Sequence, residues 1–277
     1  LRTPGSGRVL LLTVLSPPDP ASPSESRVID AQAVLGTSMV HSLEHSMIAE
    51  ILFTIAPDPW TEIGRVAEEH RCETVLFGLP NLSDPVVESA LERRIAAIGC
   101  DVVVARTPSG WRMDDVERVL VPLGGRRRHS RPRVRLLASL ARTKGRAITY
   151  LATTLPSASK EERRRFEREI HRMVRDEATG SYEIVVETAA NPGDTIVRHG
   201  RDSDLIVMGM RTESGGRRSL WGTPHTVAAG SNKPLILLGS APLSTLVRTG
   251  RDLLAPSRRK RTRPKEPGDT DPQPPAS

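Results

Sequence analysis

Two histidines with the spacing of metal ligands stand near the N-terminus. His41, Glu44 and His45 match the H-x-x-E-H pattern of inverted zinc peptidases. On a helix the two imidazoles would share one face, as zinc ligands must. The match covers five residues and the sequence identifies no third ligand. We therefore interpret these side chains as part of a solvated helix face and assign no metal site.

Other signatures of catalysis are missing from the sequence. It contains no P-loop, no dinucleotide-binding glycine motif and no nucleophile elbow. Cys72 and Cys100 do not form a C-x-x-C pair, and each adjoins an apolar strand, so we predict two buried thiols. Since no acid–base or nucleophile constellation is present, we predict that the protein is not an enzyme.

Two groups of arginines have the charge to bind anions. The first group follows an apolar segment at Arg118–Leu123 and comprises Arg126, Arg127, Arg128, Arg131, Arg133 and Arg135. In a parallel sheet it would lie at the carboxyl edge, where doubly wound folds bind ligands, so an anion site competes there with a merely solvated loop. The second group, Ser257–Arg263, has the charge to contact anionic lipid or nucleic acid, although a solvated tail is the simpler interpretation.

The composition is that of an ordinary globular chain. Of 277 residues, 37% are apolar and 26% are charged, and the length suits two domains. Apolar runs such as Val9–Leu15 are far shorter than the ~20 residues of a membrane-spanning helix. Two cysteines exclude a disulfide scaffold, and the first residues lack the apolar region of a secretory signal. We predict a location in the cytoplasm or at the cytoplasmic face of a membrane.

Charge is unevenly distributed along the chain. Residues 1–112 carry 9 Lys+Arg and 14 Asp+Glu, a net charge of −5. Residues 113–277 carry 31 Lys+Arg and 19 Asp+Glu, a net charge of +12. Such asymmetry can indicate a nucleic-acid partner, but that function usually adds exposed aromatic residues or a known module. Neither is visible, so we do not expect nucleic acid to bind.

The structural elements that would position these residues occur twice. Each copy has a turn with Pro, a short helix and an apolar strand that ends in Gly78 or Gly209. The matching segments are Asp58–Pro80 with Asn191–Arg211, Cys100–Arg106 with Lys233–Gly239, and the stretch from Leu1 with the stretch from Leu140. Near-continuous apolar strands are typical of parallel sheets.

In the second copy, strands alternate with helices. The predicted strands are Arg118–Leu123, Arg146–Thr153, Tyr182–Thr188, Asp204–Gly209 and Lys233–Gly239. The predicted helices are Arg133–Arg142, Ser159–Ala178, Asp194–Arg201 and Thr223–Ala229, and Ser159 with Glu162 forms a capping-box pattern. This alternation predicts an α/β protein of two Rossmann-like, doubly wound parallel-sheet domains in tandem.

The predicted domains are residues 1–107 and 116–240, followed by a C-terminal helix and a disordered basic, Pro-rich tail at 241–277. Leu1–Thr3 aligns with the end of the first helix of the second domain. The first domain therefore lacks its first strand and helix, and we expect the chain to be a fragment.

These motifs resemble the universal stress protein family over roughly residues 7–107 and 116–240, which is nearly all of the chain expected to be ordered. Members carry a first strand similar to Val119–Gly124 (VLVPLG) and a fourth strand similar to Ser203–Thr212 (SDLIVMGMRT). They close with a segment similar to Gly222–Leu238. The resemblance implies the strand order 3-2-1-4-5, with the first strand in the middle of each sheet. Loss of that strand from the first copy would then leave the two strands beside it without their shared neighbour.

The resemblance also implies a nucleotide site. The ATP-binding branch of the family has the motif G-x2-G-x9-G-[S/T], and Gly209, Thr212, Gly222 and Thr223 stand at those spacings. Glycines let backbone N–H groups approach phosphates, and a helix that starts at Gly222-Thr223 adds a favourable dipole.

The motif is degenerate in this sequence. The second glycine is Thr212, and Gly124 replaces the acid that helps to hold adenosine in the family. Arg217–Arg218 would add positive charge to the loop, whereas the first copy has Asp84 and Glu88 where phosphate would sit. We assign no cofactor and expect ATP or AMP to bind no tighter than the high-micromolar range.

Two functions follow from the resemblance. The first is a non-catalytic, cytoplasmic tandem universal stress protein that regulates or senses a ligand. The alternative is the C-terminal cytosolic regulatory domain of an amino-acid permease or a cation–chloride cotransporter-like transporter. The expected partners are the two domains packed on each other, a second copy, or the membrane domain of such a transporter.

Overall fold

The computed structural model describes residues 8–17, 25–44, 47–79, 85–124, 131–178, 180–212, 218–220 and 222–241. The predictions for Arg126–Arg128, for Arg217 and for the C-terminal helix and tail lie outside these residues. The described strands are β1 (Arg8–Leu15), β2 (Ile48–Ile55), β3 (Thr74–Gly78), β4 (Asp101–Arg106), β5 (Arg118–Leu123), β6 (Ala147–Thr154), β7 (Tyr182–Thr188), β8 (Leu205–Gly209), β9 (Arg211–Thr212), β10 (Arg218–Ser219) and β11 (Leu235–Gly239). The α-helices are α1 (Glu25–Glu44), α2 (Pro59–Glu69), α3 (Pro85–Ala96), α4 (Arg131–Thr143), α5 (Lys160–Glu177), α6 (Pro192–Gly200) and α7 (Thr223–Gly230), with a 3-10 turn at Met113–Asp115.

Local capping signals set where several helices begin. Ser159 accepts a hydrogen bond from the N–H of Glu162, whose carboxylate accepts from the N–H of Ser159, so the predicted capping box is confirmed. The Asp58 side chain caps α2 by accepting from the N–H of Trp60, and the Asn191 side chain caps α6 by accepting from the N–H of Gly193, each with a proline in the first turn.

One seven-stranded sheet joins strands from both ends of the chain. Its order is β3-β4-β11-β8-β5-β6-β7, and every neighbouring pair is parallel except β4 and β11. That antiparallel pair connects what we call the N-terminal half (residues 8–106) to the C-terminal half (residues 118–241). The alternating order of strands and helices confirms the predicted α/β class.

The first two strands stand apart from this sheet. β1 and β2 pair in parallel with each other and form a two-stranded sheet. α1 and α2 pack on this pair, and the Thr54 hydroxyl of β2 donates to the Glu62 carboxylate of α2 at 3.1 Å. Within the described residues, no strand pairs with β1 on its other side, and none pairs with β3 on the side away from β4.

Helices cover both faces of the large sheet and bury two apolar cores. On one face the described part of α3, with α6 and α7, packs over Val102, Val104, Ile206 and Leu237. On the other face α4 and α5 pack over Val119, Val121, Ile148, Tyr150 and Val207. Apolar strands such as β5 and β8 are buried because both of their faces are covered. Among the described residues no helix has the length and apolar character to span a membrane.

Candidate functional site

The candidate site lies where the chain reverses its direction across the sheet. From β5 the chain proceeds to β6 and β7 on one side, and then crosses to β8 and β11 on the other. Gly124 follows β5 and Gly209 ends β8, so both lie at the carboxyl edge of neighbouring strands. Doubly wound folds bind ligands at this switch point.

Neither of these two glycines is required by close packing. Among the described residues, a Cβ at Gly124 would meet nothing within 4 Å, and one at Gly209 would meet only the Leu238 carbonyl oxygen at 3.9 Å. The described residues therefore leave room for a Cβ at position 124. What the site lacks there is a carboxylate, rather than the space for one.

Gly222 has a conformational reason to be glycine. Its φ of 80° lies in the left-handed region, and it caps the N-terminus of α7 without a side-chain hydrogen bond. Thr223 begins the helix and Pro224 follows it. Because proline has no N–H, the start of α7 offers one backbone donor fewer to an anion.

The segment between Gly209 and Gly222 folds back as a small hairpin. β9 and β10 pair antiparallel, with Thr212 opposite Arg218 and Arg211 opposite Ser219. Residues 218–220 then contact α3 of the N-terminal half.

Arg218 is buried and does not supply charge to a phosphate loop, so that prediction is wrong. Its guanidinium donates to the carbonyl oxygens of Ile95 at 2.7 Å and Ile98 at 3.0 Å, and also to that of Cys100. It further donates to the Ser240 carbonyl at 3.0 Å. Burial lowers its pKa, and the carbonyls at the C-terminal end of α3 offset the loss of water.

Ser219 and Leu220, the two residues after Arg218, also contact α3. The Ser219 hydroxyl donates to the Glu92 carboxylate at 2.8 Å, and the backbone N–H of Leu220 donates to the same oxygen. Leu220 also packs beside Leu91 and Ile95 in the core. Residues 218–220 are thus fixed to α3 by charge, hydrogen bonds and apolar contact together.

A second arginine makes the reciprocal contact. Arg106 at the end of β4 donates to the carbonyl oxygens of Ala228 and Ser231, and to that of Lys233 at 2.9 Å. These carbonyls lie at and after the C-terminus of α7. Each half therefore sends one guanidinium, Arg106 or Arg218, to the helix end of the other half. We refer to these two residues as the reciprocal arginine pair.

One arginine of the predicted anion loop, Arg133, forms an internal ion pair instead. Arg133 is buried and donates to both oxygens of the Glu177 carboxylate at 2.8 Å, so it is not available to a ligand. Arg135 pairs with Glu73 at 2.7 Å, and Arg131 is exposed at the start of α4.

The histidine motif lies on an exposed face of α1. The Nδ1 atom of His41 is 3.0 Å from the Glu44 carboxylate, and His45 lies outside the described residues. In the parts of the chain that the structure describes, no three His, Cys, Asp or Glu side chains are grouped to hold a metal ion.

Both cysteines are free thiols in partly buried positions. Burial raises the pKa of the Cys100 thiol to about 11, and burial also raises that of Cys72, although the nearby Arg8 guanidinium acts in the opposite sense. A raised pKa reduces the thiolate that nucleophilic or redox chemistry needs.

Comparison with known proteins identifies the fold. No family model and no curated protein matches the sequence. Among solved structures, a universal stress protein from Archaeoglobus fulgidus DSM 4304 matches with a TM-score of 0.57 and 16% identity, over 84% of this chain and 86% of that one. A putative universal stress protein from Pseudomonas aeruginosa UCBPP-PA14 matches with a TM-score of 0.55 and 12% identity, over 89% of this chain and 98% of that one.

A further solved structure comes from a membrane transport protein. The cytoplasmic domain of a prokaryotic cation chloride cotransporter matches with a TM-score of 0.55 and 9% identity, over 84% of this chain and 85% of that one. The chain therefore has the Rossmann-like fold of the universal stress proteins, a fold that this transporter domain shares.

Proposed function

We propose that the chain is a non-catalytic, cytoplasmic regulatory module of two universal-stress-protein-like units, whose phosphate-loop counterpart holds the units together instead of binding nucleotide. The observation that carries this proposal is the attachment of residues 218–220 to α3. A loop that binds phosphate must turn its backbone N–H groups toward the ligand, whereas the N–H of Leu220 is already bonded to Glu92.

The chemistry of the switch point supports the same proposal. Gly124 offers no carboxylate to a ribose, and Pro224 removes one N–H from the start of α7. Loss of a charged hydrogen bond to ribose costs ~1.5–3 kcal/mol, which is about one to two decades of affinity. Thr212 adds a side chain where the motif has glycine. Together these departures from the nucleotide-binding motif favour a structural role for residues 218–220 over a role in binding phosphate.

Calorimetry with ATP, AMP and a cyclic dinucleotide tests the proposal. We expect no binding tighter than the high-micromolar range. The variant Gly124→Asp with Thr212→Gly restores the two missing residues, and tighter ATP binding by it than by the natural chain would show that these positions limit affinity.

Submicromolar ATP binding by the natural chain would contradict the proposal. Its loss in Gly222→Val would then assign the ligand to the start of α7. Because a φ of 80° makes valine strained at that position, Gly124→Arg serves as a second blocking variant. It adds a long side chain at the same edge of the sheet.

A second candidate function is the cytoplasmic regulatory domain of a membrane transporter. The uncovered apolar surface of the N-terminal half favours it, because Ile29, Val34, Leu43 and Ile48 are all more than 60% exposed. Surfaces of this kind mark contacts with other polypeptides. The coding sequence of the parent gene tests this candidate: a series of ~20-residue apolar segments supports it, and a frame without them contradicts it.

A further inference from the structure

The large sheet ends in the C-terminal half at an unpaired strand edge. β7 is the last strand of this sheet, and within the described residues it pairs with β6 alone. The N–H of Ala189, just after β7, donates to the Thr154 carbonyl of β6, so the odd-numbered residues of β7 bond to β6. The backbone N–H and C=O groups of Tyr182, Ile184 and Val186 therefore point outward from the sheet.

β7 lacks the usual features that keep an edge strand from pairing further. Proteins protect such edges with proline, lysine, a bulge or a very short strand. The seven residues of β7 contain no proline, glycine or lysine, and they pair with β6 in an unbroken register. The charges of β7 are Glu183 and Glu187, and Glu187 is already bound to Arg198 and His199 of α6. The edge is thus regular enough to accept another strand.

A groove lies along this edge on the α5 face of the sheet. Its volume is about 480 Å³, and it is lined by Tyr182 and Ile184 of β7 together with His171 and Arg175 of α5. The side chains of Tyr182, His171 and Arg175 are exposed. Because Tyr182 and Ile184 also carry outward-pointing backbone groups, a strand added there would lie beside the two basic side chains.

Basic side chains continue along α5 beyond the groove. Arg164, Arg168, His171 and Arg175 follow the spacing of one helix face, and all four are exposed. We call these four residues the α5 basic stripe. Only residues 178–181 separate α5 from β7, so the helix runs back along the strand. The stripe is ~16 Å long and β7 is ~20 Å long, so the two match over most of the edge.

The positive charge of the stripe is not balanced by its surroundings. The residues three or four positions from Arg168 are Arg164, Arg165, His171 and Arg172, and like charges at this spacing destabilise a helix. Among the described side chains, no carboxylate forms an ion pair with a member of the stripe. An acidic partner would supply the negative charge that is missing.

We propose that β7 accepts an extended acidic peptide of another protein as an eighth strand, with alternate acidic side chains against the α5 basic stripe. Main-chain hydrogen bonds to the edge provide affinity, and the alternate side chains provide specificity. On the opposite face of β7 the exposed Glu183 repels further carboxylates. The peptide is therefore expected to be acidic at every second position and neutral between them.

This chain itself is a poorer source of that strand. Antiparallel pairing of two β7 strands about a twofold axis would place two α5 basic stripes side by side, and their charges would repel. The acidic run Glu266–Asp271 contains Pro267 and Gly268, which do not suit the interior of a strand. The occupant is thus a different polypeptide.

Binding of a synthetic peptide to the 277-residue chain tests the proposal. The probe has about eight residues that alternate Glu and Thr, a length that covers β7. Its matched control has the same sequence with N-methyl groups on the backbone amides, which keeps the charge and removes the hydrogen-bond donors. With saturating probe, we expect the amides of Ile184 and Val186 to exchange with solvent at least about tenfold more slowly. The N-methylated peptide should give no added protection.

A pair of charge-reversal variants tests the stripe. Arg164→Glu with Arg175→Glu should weaken binding of the probe at least about tenfold in fluorescence anisotropy, because the acidic side chains then meet like charges. The control Arg165→Glu with Arg172→Glu makes the same change of net charge on a different face of α5, and its affinity should change by less than about threefold. All four side chains are exposed, so the thermal unfolding curves of both variants should match that of the natural chain.

Four results would overturn the proposal. Equal binding of the N-methylated peptide would mean that charge alone attracts the probe, and equal losses in the two double variants would mean that this face of α5 has no special role. A 277-residue chain that sediments as a dimer, with the amides of Ile184 and Val186 already protected, would assign the edge to a second copy. Phosphatidylserine vesicles that bind the chain more tightly than the probe does, and lose that binding in Arg164→Glu with Arg175→Glu, would assign the stripe to a membrane. None of these results depends on nucleotide binding.

Discussion

β3 and β8 have similar sequences and very different surroundings. Their residues are Thr-Val-Leu-Phe-Gly and Leu-Ile-Val-Met-Gly, and each strand follows a short helix that starts at a proline. Leu76 in the middle of β3 is 68% exposed, whereas Val207 at the same place in β8 is fully buried. Within the described part of the chain, β8 has neighbours on both sides and lies under α4, whereas β3 pairs with β4 alone. Burial is therefore a property of the assembled sheet and not of the strand sequence.

Ion pairs differ between the halves in the same way. Arg133 and Glu177 of the C-terminal half keep only 9% and 2% of their side chains exposed, whereas Arg8 and Glu50 of the N-terminal half keep 62% and 45%. Buried pairs hold elements in place and exposed pairs contribute little. We infer that β1, β2 and α1 open more readily than the large sheet.

The largest contrast is expected between the two ion pairs. Arg133→Ala leaves the Glu177 carboxylate buried without its main partner, so the free energy of unfolding should fall by about 3–5 kcal/mol in urea titrations. Arg8→Ala is the control and should leave the unfolding curve unchanged. The double variant Arg133→Met with Glu177→Leu should recover most of the loss, because no buried charge remains. Equal effects of Arg133→Ala and Arg8→Ala would contradict the comparison.

The connection between the halves gives the next largest effect. Arg218→Ala removes a buried guanidinium that serves four carbonyl oxygens, and we expect a loss of about 3 kcal/mol in the same titration. Arg118→Ala is the matched control. Its side chain is 60% exposed, and Asp204 keeps its bonds to the backbone N–H groups of residues 117 and 118. A loss below ~1 kcal/mol in Arg218→Ala would show that β10 does not fasten α3.

A smaller contrast is expected between the buried strand β8 and the exposed strand β3. Val207→Ala removes two buried methyl groups and leaves a small cavity, which should cost about 2 kcal/mol. Leu76→Ala removes more atoms from an exposed side chain and should change stability by less than ~0.5 kcal/mol. Chemical denaturation of the two variants measures the difference. A larger loss in Leu76→Ala would mean that β3 already has a covering partner in solution.

The sequence predicts the local elements well because their signals are local. The apolar run at Arg118–Leu123, the run at Tyr182–Thr188 and the Ser159 capping box all appear as predicted. The reciprocal arginine pair was not predicted, because its contacts between the two halves are with carbonyl oxygens more than a hundred residues away. Carbonyls carry no sequence signal, so an arginine at a strand end is indistinguishable from one in a solvated loop. Arg133 was misassigned for the same reason, since its partner Glu177 is 44 positions away.

Cys100, at the junction of the two halves, gives a pH-dependent effect. Its pKa is about 11 in the folded chain, above the ~8.5 of an unfolded thiol, so the folded state binds the proton more tightly. Its contribution is complete below pH ~8.5 and is lost as the pH rises toward 11. Solvent screening limits the loss to about 1 kcal/mol. Cys100→Ser should lose less stability than the natural chain between pH 8.5 and 11, and parallel curves would contradict this assignment.

The smallest effect is expected at Tyr150, within the core of the C-terminal half. Its side chain is fully buried, and among the described residues its hydroxyl has no hydrogen-bond partner. Burial raises its pKa to about 12. Tyr150→Phe removes a desolvated oxygen and keeps the ring against Tyr182, so stability at pH 7 should rise by up to ~1 kcal/mol. Tyr182→Phe, at a 42% exposed position, should be neutral. A loss of ~1 kcal/mol in Tyr150→Phe would instead show that a buried water serves the hydroxyl, and that this core is less dry than its packing indicates.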